Sequence, residues 1–231
     1  NIQLQISSIR FDIAFEGRKV TLECQVAGRF NAYNLLAVLA TLLASGVDFD
    51  DAIEALQKVR PIPGRMELLG GGKQPVIIVD YAHTPNALSE VLAGLRETMA
   101  GKIGGKLICV VGCGGDRDRS KRPLIGEIAA RMADEVIFTS DNPRSEDPRE
   151  IISEILSGVP STLADRCMVE IDRSAAIYRA IQQARRQDVV LIAGKGAETR
   201  QERQGRKYPH DDRKVARQVL RDLARQVQET E

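Results

Sequence analysis

Apolar and polar residues follow different rhythms in different parts of this chain. The first stretch alternates: "IQLQISSIR" and then "FDIAFEGRKVTLECQV" carry β-branched and aromatic residues in a strand-like pattern, which predicts a hairpin turning at Glu16-Gly17. "FNAYNLLAVLATLLASG" changes to helical spacing and stops at Gly46. "DFDDAIEALQKV" predicts a second helix, its leading aspartates suited to the positive end of the helix dipole. "RPIPGR" at 60–65 breaks the pattern with prolines and a glycine, so a domain boundary is expected there, separating 1–60 from 61–231.

Beyond the boundary the rhythm becomes strand–helix alternation. "PVIIVD" (75–80), "KLICVVG" (106–112), "EVIFTS" (135–140), "CMVEID" (167–172) and "DVVLIAG" (188–194) are the expected strands, each followed by a helical pattern. Strands apolar on both faces and alternating with helices predict an α/β, Rossmann-like, mostly parallel sheet covered on both sides. Such sheets place ligand sites in the loops beyond the carboxyl ends of their strands.

Composition changes this picture little. With 43% hydrophobic and 28% charged residues and a net charge of +1, the 231 residues describe an ordinary globular protein without a general field for nucleic acid or an anionic membrane. No apolar stretch approaches the roughly 18–20 residues needed to cross a bilayer. The first residues, "NIQLQISSIRFD", lack a secretory pattern, and a chain opening on Asn is expected to be processed or cut from something longer. Cys24, Cys109, Cys113 and Cys167 are scattered, and only His83 and His210 are present, so no zinc site is expected and a reducing cytoplasm fits.

The candidate chemistry lies after the strands. "DYAHTP" follows the first, "GCGGDRDRSKRP" the second, "DNPR" the third and "GKGAETRQ" the last. These loops are expected to bring Arg117, Arg144, Lys195 and Glu198 to one edge of the sheet. Guanidinium forks suit carboxylates and a glutamate suits an ammonium, so the combination points to a small zwitterion. Each loop also has a plain structural reading. Asn31 and Asn34 stand where an N-cap is expected, Asp80 could cap the helix beginning near Thr84, and Asp141 could cap the segment after it. Arg65 would then be a hinge salt bridge, and Lys195 would be solvated.

"GRFNAYNLLAVLA", "RPIPGRMELL", "VDYAHTPNAL", "GCGGDRDRSKRPLIGEIA", "DNPRSEDP" and "GKGAETRQ" occur in the order found in Mur ligases, and the chain resembles that family from about Gly28 onward. Within it the closest resemblance is to members that add meso-diaminopimelate to UDP-N-acetylmuramoyl-L-alanyl-D-glutamate during peptidoglycan synthesis. The resemblance implies an ATP- and Mg2+-dependent ligase in the cytoplasm. Residues 1–60 would be the tail of its central ATPase domain and 61–231 its C-terminal amino-acid-binding domain. The family's phosphate loop, its metal-binding glutamate and histidine and its carbamylated lysine are not in this sequence. No catalytic or metal-binding residue is therefore expected here, and the chain is expected not to turn over without the missing N-terminal and ATPase segments.

The resemblance also implies site residues. Arg117, Asn142, Arg144, Gly194 and Glu198 would bind diaminopimelate, with Asp141, Asn142, Pro143 and Arg144 forming the motif that distinguishes this acceptor from lysine. Asn31, Asn34, Arg65 and Asp80 match positions around the adenosine and the domain hinge, and His83 matches without an assigned role. One departure stands out: the family usually reads "GKGHE", whereas Ala197 occupies the histidine position here. Two other readings compete. One is a different amide ligase of the superfamily, of the cyanophycin-synthetase or folylpolyglutamate-synthetase type. The other is a non-catalytic amino-acid-binding module.

Overall fold

The structure, a computed structural model, describes residues 1–100 and 105–228. The chain falls into two compact units divided between Ile62 and Pro63, with the end of one helix, from Gly94, counted with the first. In the first unit β1 (Ile2–Leu4), β2 (Ile9–Phe15) and β3 (Arg18–Cys24) form an antiparallel sheet in that order. The β2–β3 turn places Glu16 and Gly17 at φ 47° and 77°, the doubly left-handed geometry that matches the twist of a two-residue hairpin. Ile9, Phe11, Ile13 and Leu22 pack with Leu35 and Leu39 of α1 (Arg29–Ala44) and with Phe49, Ile53 and Leu56 of α2 (Phe49–Gln57). Full burial of such side chains stabilises by roughly 1.5–3 kcal/mol each.

Asp48 caps α2 by accepting from the Asp50 amide at 2.8 Å. The asparagines of α1 behave differently from the sequence expectation. The N-cap is Gly28, and Asn31 and Asn34 lie inside the helix. Asn31 reaches back to the Ala27 carbonyl at 2.6 Å, and Asn34 donates to Asn31 Oδ1 at 3.1 Å. The close backbone turn at Gly28, with φ 90°, begins the helix before either amide is reached.

The second unit is built on β4 (Glu67–Gly70), β5 (Val76–Asp80), β6 (Leu107–Val111), β7 (Glu135–Phe138), β8 (Cys167–Val169) and β9 (Val189–Ala193). They lie in the order β4-β5-β9-β6-β7-β8, all pairs parallel except β4 with β5. The helices are α3 (Pro85–Ala100), α4 (Lys121–Met132), α5 (Pro148–Leu156), α6 (Arg173–Gln183) and α7 (Asp212–Gln228). They cover both faces, as continuous apolar strands require. All five residues of β6 and of β9 are buried. Ile77, Val79, Ile108, Val110, Val190 and Ile192 form one core with Ile177 and Ile181 of α6 and Val219 and Leu220 of α7.

Three details depart from the expected elements. The strand expected over 167–172 ends at Val169, because Asp172 turns to cap α6 and accepts from the Ala175 amide at 2.9 Å. β4, with its half-buried residues, was not expected. Nor was the hairpin of β10 (Arg200–Arg203) and β11 (Arg206–Pro209), where "RQER" and "RKYP" carry no apolar alternation. Among the described residues no helix is long and apolar enough to cross a membrane.

Candidate functional site

The neighbouring strands β5, β9, β6 and β7 all release their loops at one edge of the sheet. Those loops enclose a cavity of about 320 Å³. Tyr81 and His83 come from the loop after β5, and Gly112, Cys113, Gly114, Arg117, Asp118 and Lys121 from the loop after β6 and the start of α4. Asp141, Asn142 and Arg144 follow β7, and Gly194 and Glu198 follow β9. The five residues that the resemblance assigns to the amino acid therefore line one cavity.

Close backbone approach makes this convergence possible. A Cβ on Gly115 would stand 1.9 Å from the Pro143 carbonyl oxygen, so only glycine lets "GCGGDRD" seat against "DNPR". Gly194, at φ 114°, similarly leaves room for Asp141 Oδ2, which a Cβ would meet at 2.7 Å. Arg144 has a left-handed backbone, φ 52°, which costs a non-glycine residue ~1–2 kcal/mol. The β10–β11 hairpin holds it there: the Arg144 amide donates to the Glu202 carbonyl at 3.0 Å and the Arg144 carbonyl accepts from the Gln204 amide.

The charged groups divide into free and committed ones. Arg117 is exposed and donates a 3.3 Å hydrogen bond to the Asp116 carbonyl. Arg144 donates one guanidinium nitrogen to the Gly115 carbonyl at 2.7 Å and sits 3.6 Å from the Glu202 carboxylate. Its Nη2 has no hydrogen bond among the described residues. Asn142 is fully engaged: Nδ2 donates to Glu198 Oε2, while Oδ1 accepts from Lys195 Nζ and the Glu202 amide. Lys195 is not solvated, contrary to the sequence expectation. It is fully buried, because Asn142 and Glu198 satisfy its ammonium.

Burial pushes the Asp141 carboxyl up from its ordinary value, and the charges of Arg173 and Lys195 pull against that shift. Asp141 caps no helix; Asp147 caps α5 instead. For Glu198, burial likewise favours the neutral acid, but hydrogen bonds from Lys195 and Asn142 outweigh it and hold the group below the usual carboxylate range. The Cys113 thiol is pushed up to about 12 by burial, so it stays protonated and is a poor nucleophile.

Beneath the rim, Arg173 grips Asp212 through two nitrogens at 2.8 and 2.7 Å, with both side chains fully buried. It also donates to the carbonyls of Ser140 and Ala193, the residues from which the last two loops depart. Nothing in "DRSAAIY" or "HDDRK" marked this pair, since a charged residue near a helix start usually faces water. Of the remaining expected positions, His83 lines the cavity and Asp80 and Arg65 do not. Asp80 accepts from the Met66 and Ala82 amides, both at 2.8 Å, and does not cap α3; Thr84 Oγ1 takes the Ala87 amide there. Burial raises the Asp80 carboxyl and those two amides oppose the rise. Arg65 lies over the Tyr81 ring, 4.6 Å from its centre, rather than in a surface salt bridge, and His83 packs edge-on to the same ring. Asn31 and Asn34 belong to the first unit. Among the described residues no group of three or more His, Cys, Asp or Glu is gathered for a metal.

Known proteins resemble this chain in sequence and fold. Residues 64–196 match the model of the Mur ligase, glutamate ligase domain. A UDP-N-acetylmuramoyl-L-alanyl-D-glutamate–2,6-diaminopimelate ligase from Nitrosomonas europaea is 66% identical over 97% of this chain and 44% of its own length. A solved structure of a ligase with the same name aligns over 97% of this chain and 45% of its own, with a TM-score of 0.70 and 35% identity. The UDP-N-acetylmuramate-alanine ligase of Thermotoga maritima, at 19% identity and a TM-score of 0.69, shares the fold. The chain spans less than half the length of the relatives it matches. With a domain match across more than half of its residues and a common fold over nearly all of them, this protein belongs to the Mur ligase family.

Proposed function

We propose that this chain is the amino-acid-binding part of a ligase that joins meso-2,6-diaminopimelate to the D-Glu of UDP-MurNAc-L-Ala-D-Glu in peptidoglycan synthesis. One observation carries the reading: acids (Asp118, Asp141 and Glu198) and cations (Arg117, Lys121 and Arg144) face one cavity of about 320 Å³, two of the cations being guanidinium groups. Diaminopimelate carries two ammonium and two carboxylate groups. Lysine has the same two amines but lacks the distal carboxylate, so it leaves one guanidinium unanswered. Arg144 is the group we assign to that distal carboxylate, with Nη2 available for it, and Arg117 stands beside it. Glu198 and the Gly194 carbonyl take the distal ammonium, and Asn142 braces Glu198.

In the whole ligase ATP supplies the phosphoryl group that turns the D-Glu side-chain carboxylate into an acyl phosphate, which the amine of the incoming amino acid displaces. The residues described here contribute position and charge rather than a nucleophile. Arg65, Tyr81 and His83 offer a stacked cationic and aromatic ledge to a nucleotide, and Asp80 fixes that ledge by holding the amides of Met66 and Ala82. The four unpaired cysteines suit a cytoplasmic protein.

The experiment is a calorimetric titration of the 231-residue chain with meso-diaminopimelate, L-lysine and L-glutamate. Diaminopimelate should bind at least about thirty-fold more tightly than lysine, the size expected for leaving a charged fork unpaired. Equal binding of lysine would sink the reading.

A further inference from the structure

Lys195 is the cation of this rim that the cavity does not expose. Its ammonium donates to Asn142 Oδ1 at 2.9 Å and to Glu198 Oε2 at 2.8 Å, and Asn142 Nδ2 donates to the same Glu198 oxygen at 2.9 Å. The three side chains thus close a triangle in which every edge is a hydrogen bond. The triangle joins the loop after β7 to the loop after β9. It also settles the orientation of the Asn142 amide: Oδ1 meets two donors, Lys195 Nζ and the Glu202 amide, so Nδ2 must face the carboxylate.

Burying an ammonium is costly unless its protons are taken up and its charge is matched. The chain meets that cost beside Asp141 and Glu198, two of the carboxylates that line the cavity. Two such acids repel each other and tend to share a proton. The Lys195 charge opposes that tendency at both: it pulls the Asp141 carboxyl down against burial and helps hold Glu198 ionised. A cation on the cavity wall would compete with a substrate ammonium for Glu198. Lys195 engages Oε2, and Oε1 has no hydrogen bond among the described residues.

Resting on the reading given under Proposed function, we propose that Lys195 is a positioning residue for the distal ammonium of the substrate. It touches no ligand, and fixes Asn142 and Glu198 as one rigid pair that presents Glu198 Oε1 to the cavity.

The test compares two ligands on the full chain and on its Lys195→Met and Lys195→Arg variants. One ligand is meso-2,6-diaminopimelate; the other is L-2-aminopimelate, which keeps both carboxylates and lacks the distal ammonium. Lys195→Met should weaken diaminopimelate about ten-fold or more, the size of one charge-assisted hydrogen bond, and aminopimelate less than about three-fold. Thermal unfolding is followed in parallel. If Lys195→Met does not fold, Lys195→Arg carries the same comparison, since a planar fork cannot reproduce the triangle's three-way geometry. Equal losses for both ligands, or no loss for either, overturn the proposal alone. Absence of diaminopimelate binding to the unsubstituted chain overturns the Proposed function and this inference with it.

Discussion

Arg117 and Lys195 stand on the same rim, each just after a glycine-containing turn, and they do opposite things. Arg117 is exposed and held by one long hydrogen bond to a neighbouring carbonyl. Lys195 is sealed from solvent and held by two short ones. The first suits capture, because little has to be broken when an anion arrives. The second suits positioning, because moving it would expose a buried charge and release two partners. Arg144 falls between them, with one nitrogen committed and another free. A binding site of this kind needs both sorts of cation, and only the burial of each tells them apart.

The largest effect should come from the most committed cation. Arg173→Met strips the guanidinium from the buried Asp212 and leaves it the His210 ring, 2.8 Å away; breaking such a buried pair typically costs about 3–5 kcal/mol. Urea unfolding should show that loss as a lower midpoint. A loss below about 1 kcal/mol would mean that the buried pair does not anchor the roots of the two loops. Next come the capturing arginines. Arg144→Ala should weaken diaminopimelate binding by about 2–5 kcal/mol and Arg117→Ala by about 1–3 kcal/mol, read by calorimetry. Arg117→Ala should leave the unfolding midpoint unchanged, within ~0.5 kcal/mol of stability. Arg144→Lys should recover only part of the loss, since an ammonium has no fork. If Arg117→Ala destabilised the fold as much as it weakened binding, the contrast between capture and position would fail.

The smallest effect concerns pH. The Arg122 hydrogen bond holds Glu146 at about 2, below its ordinary 4.5, so folding favours the anion. The stability it contributes is present above about 4.5 and is lost as pH falls toward 2, on the order of 1 kcal/mol once solvent screening is allowed for. Glu146→Gln should therefore cost stability near pH 6 and much less near pH 2.5, as urea midpoints at about those values would report. An equal cost at both would mean the pair contributes packing rather than charge.

Those contrasts also mark how far the sequence could be read. The buried strands "LICVV" and "VVLIA" announce themselves, because a parallel sheet covered on both faces needs uninterrupted apolar runs. The loops after them were legible as a candidate site because glycine, proline and charge cluster there. What stayed hidden is the state of each charge. Lys195 in "GKG" looks like a solvated lysine until Asn142, 53 positions earlier in the chain, is folded beside it. Arg173 and Asp212 are 39 positions apart and sit at the starts of different helices, so no local pattern joins them. Asn31 and Asn34 looked like caps because local spacing cannot show that Gly28 turns the backbone first. The β10–β11 hairpin escaped because its side chains are polar and its pairing is carried by the main chain.

That hairpin has a consequence for how the pocket can vary. Arg144 is stitched by its main chain to Glu202 on one side and Gln204 on the other, and the hairpin reverses at Gln204-Gly205, at φ 47° and 70°. Lengthening that reversal by a residue would shift the pairing frame and slide the guanidinium's starting point, although no atom of the cavity wall had been altered. Acceptor choice in such ligases is thus open to drift through insertions in a surface ribbon as well as through substitutions at the residues that touch the acceptor.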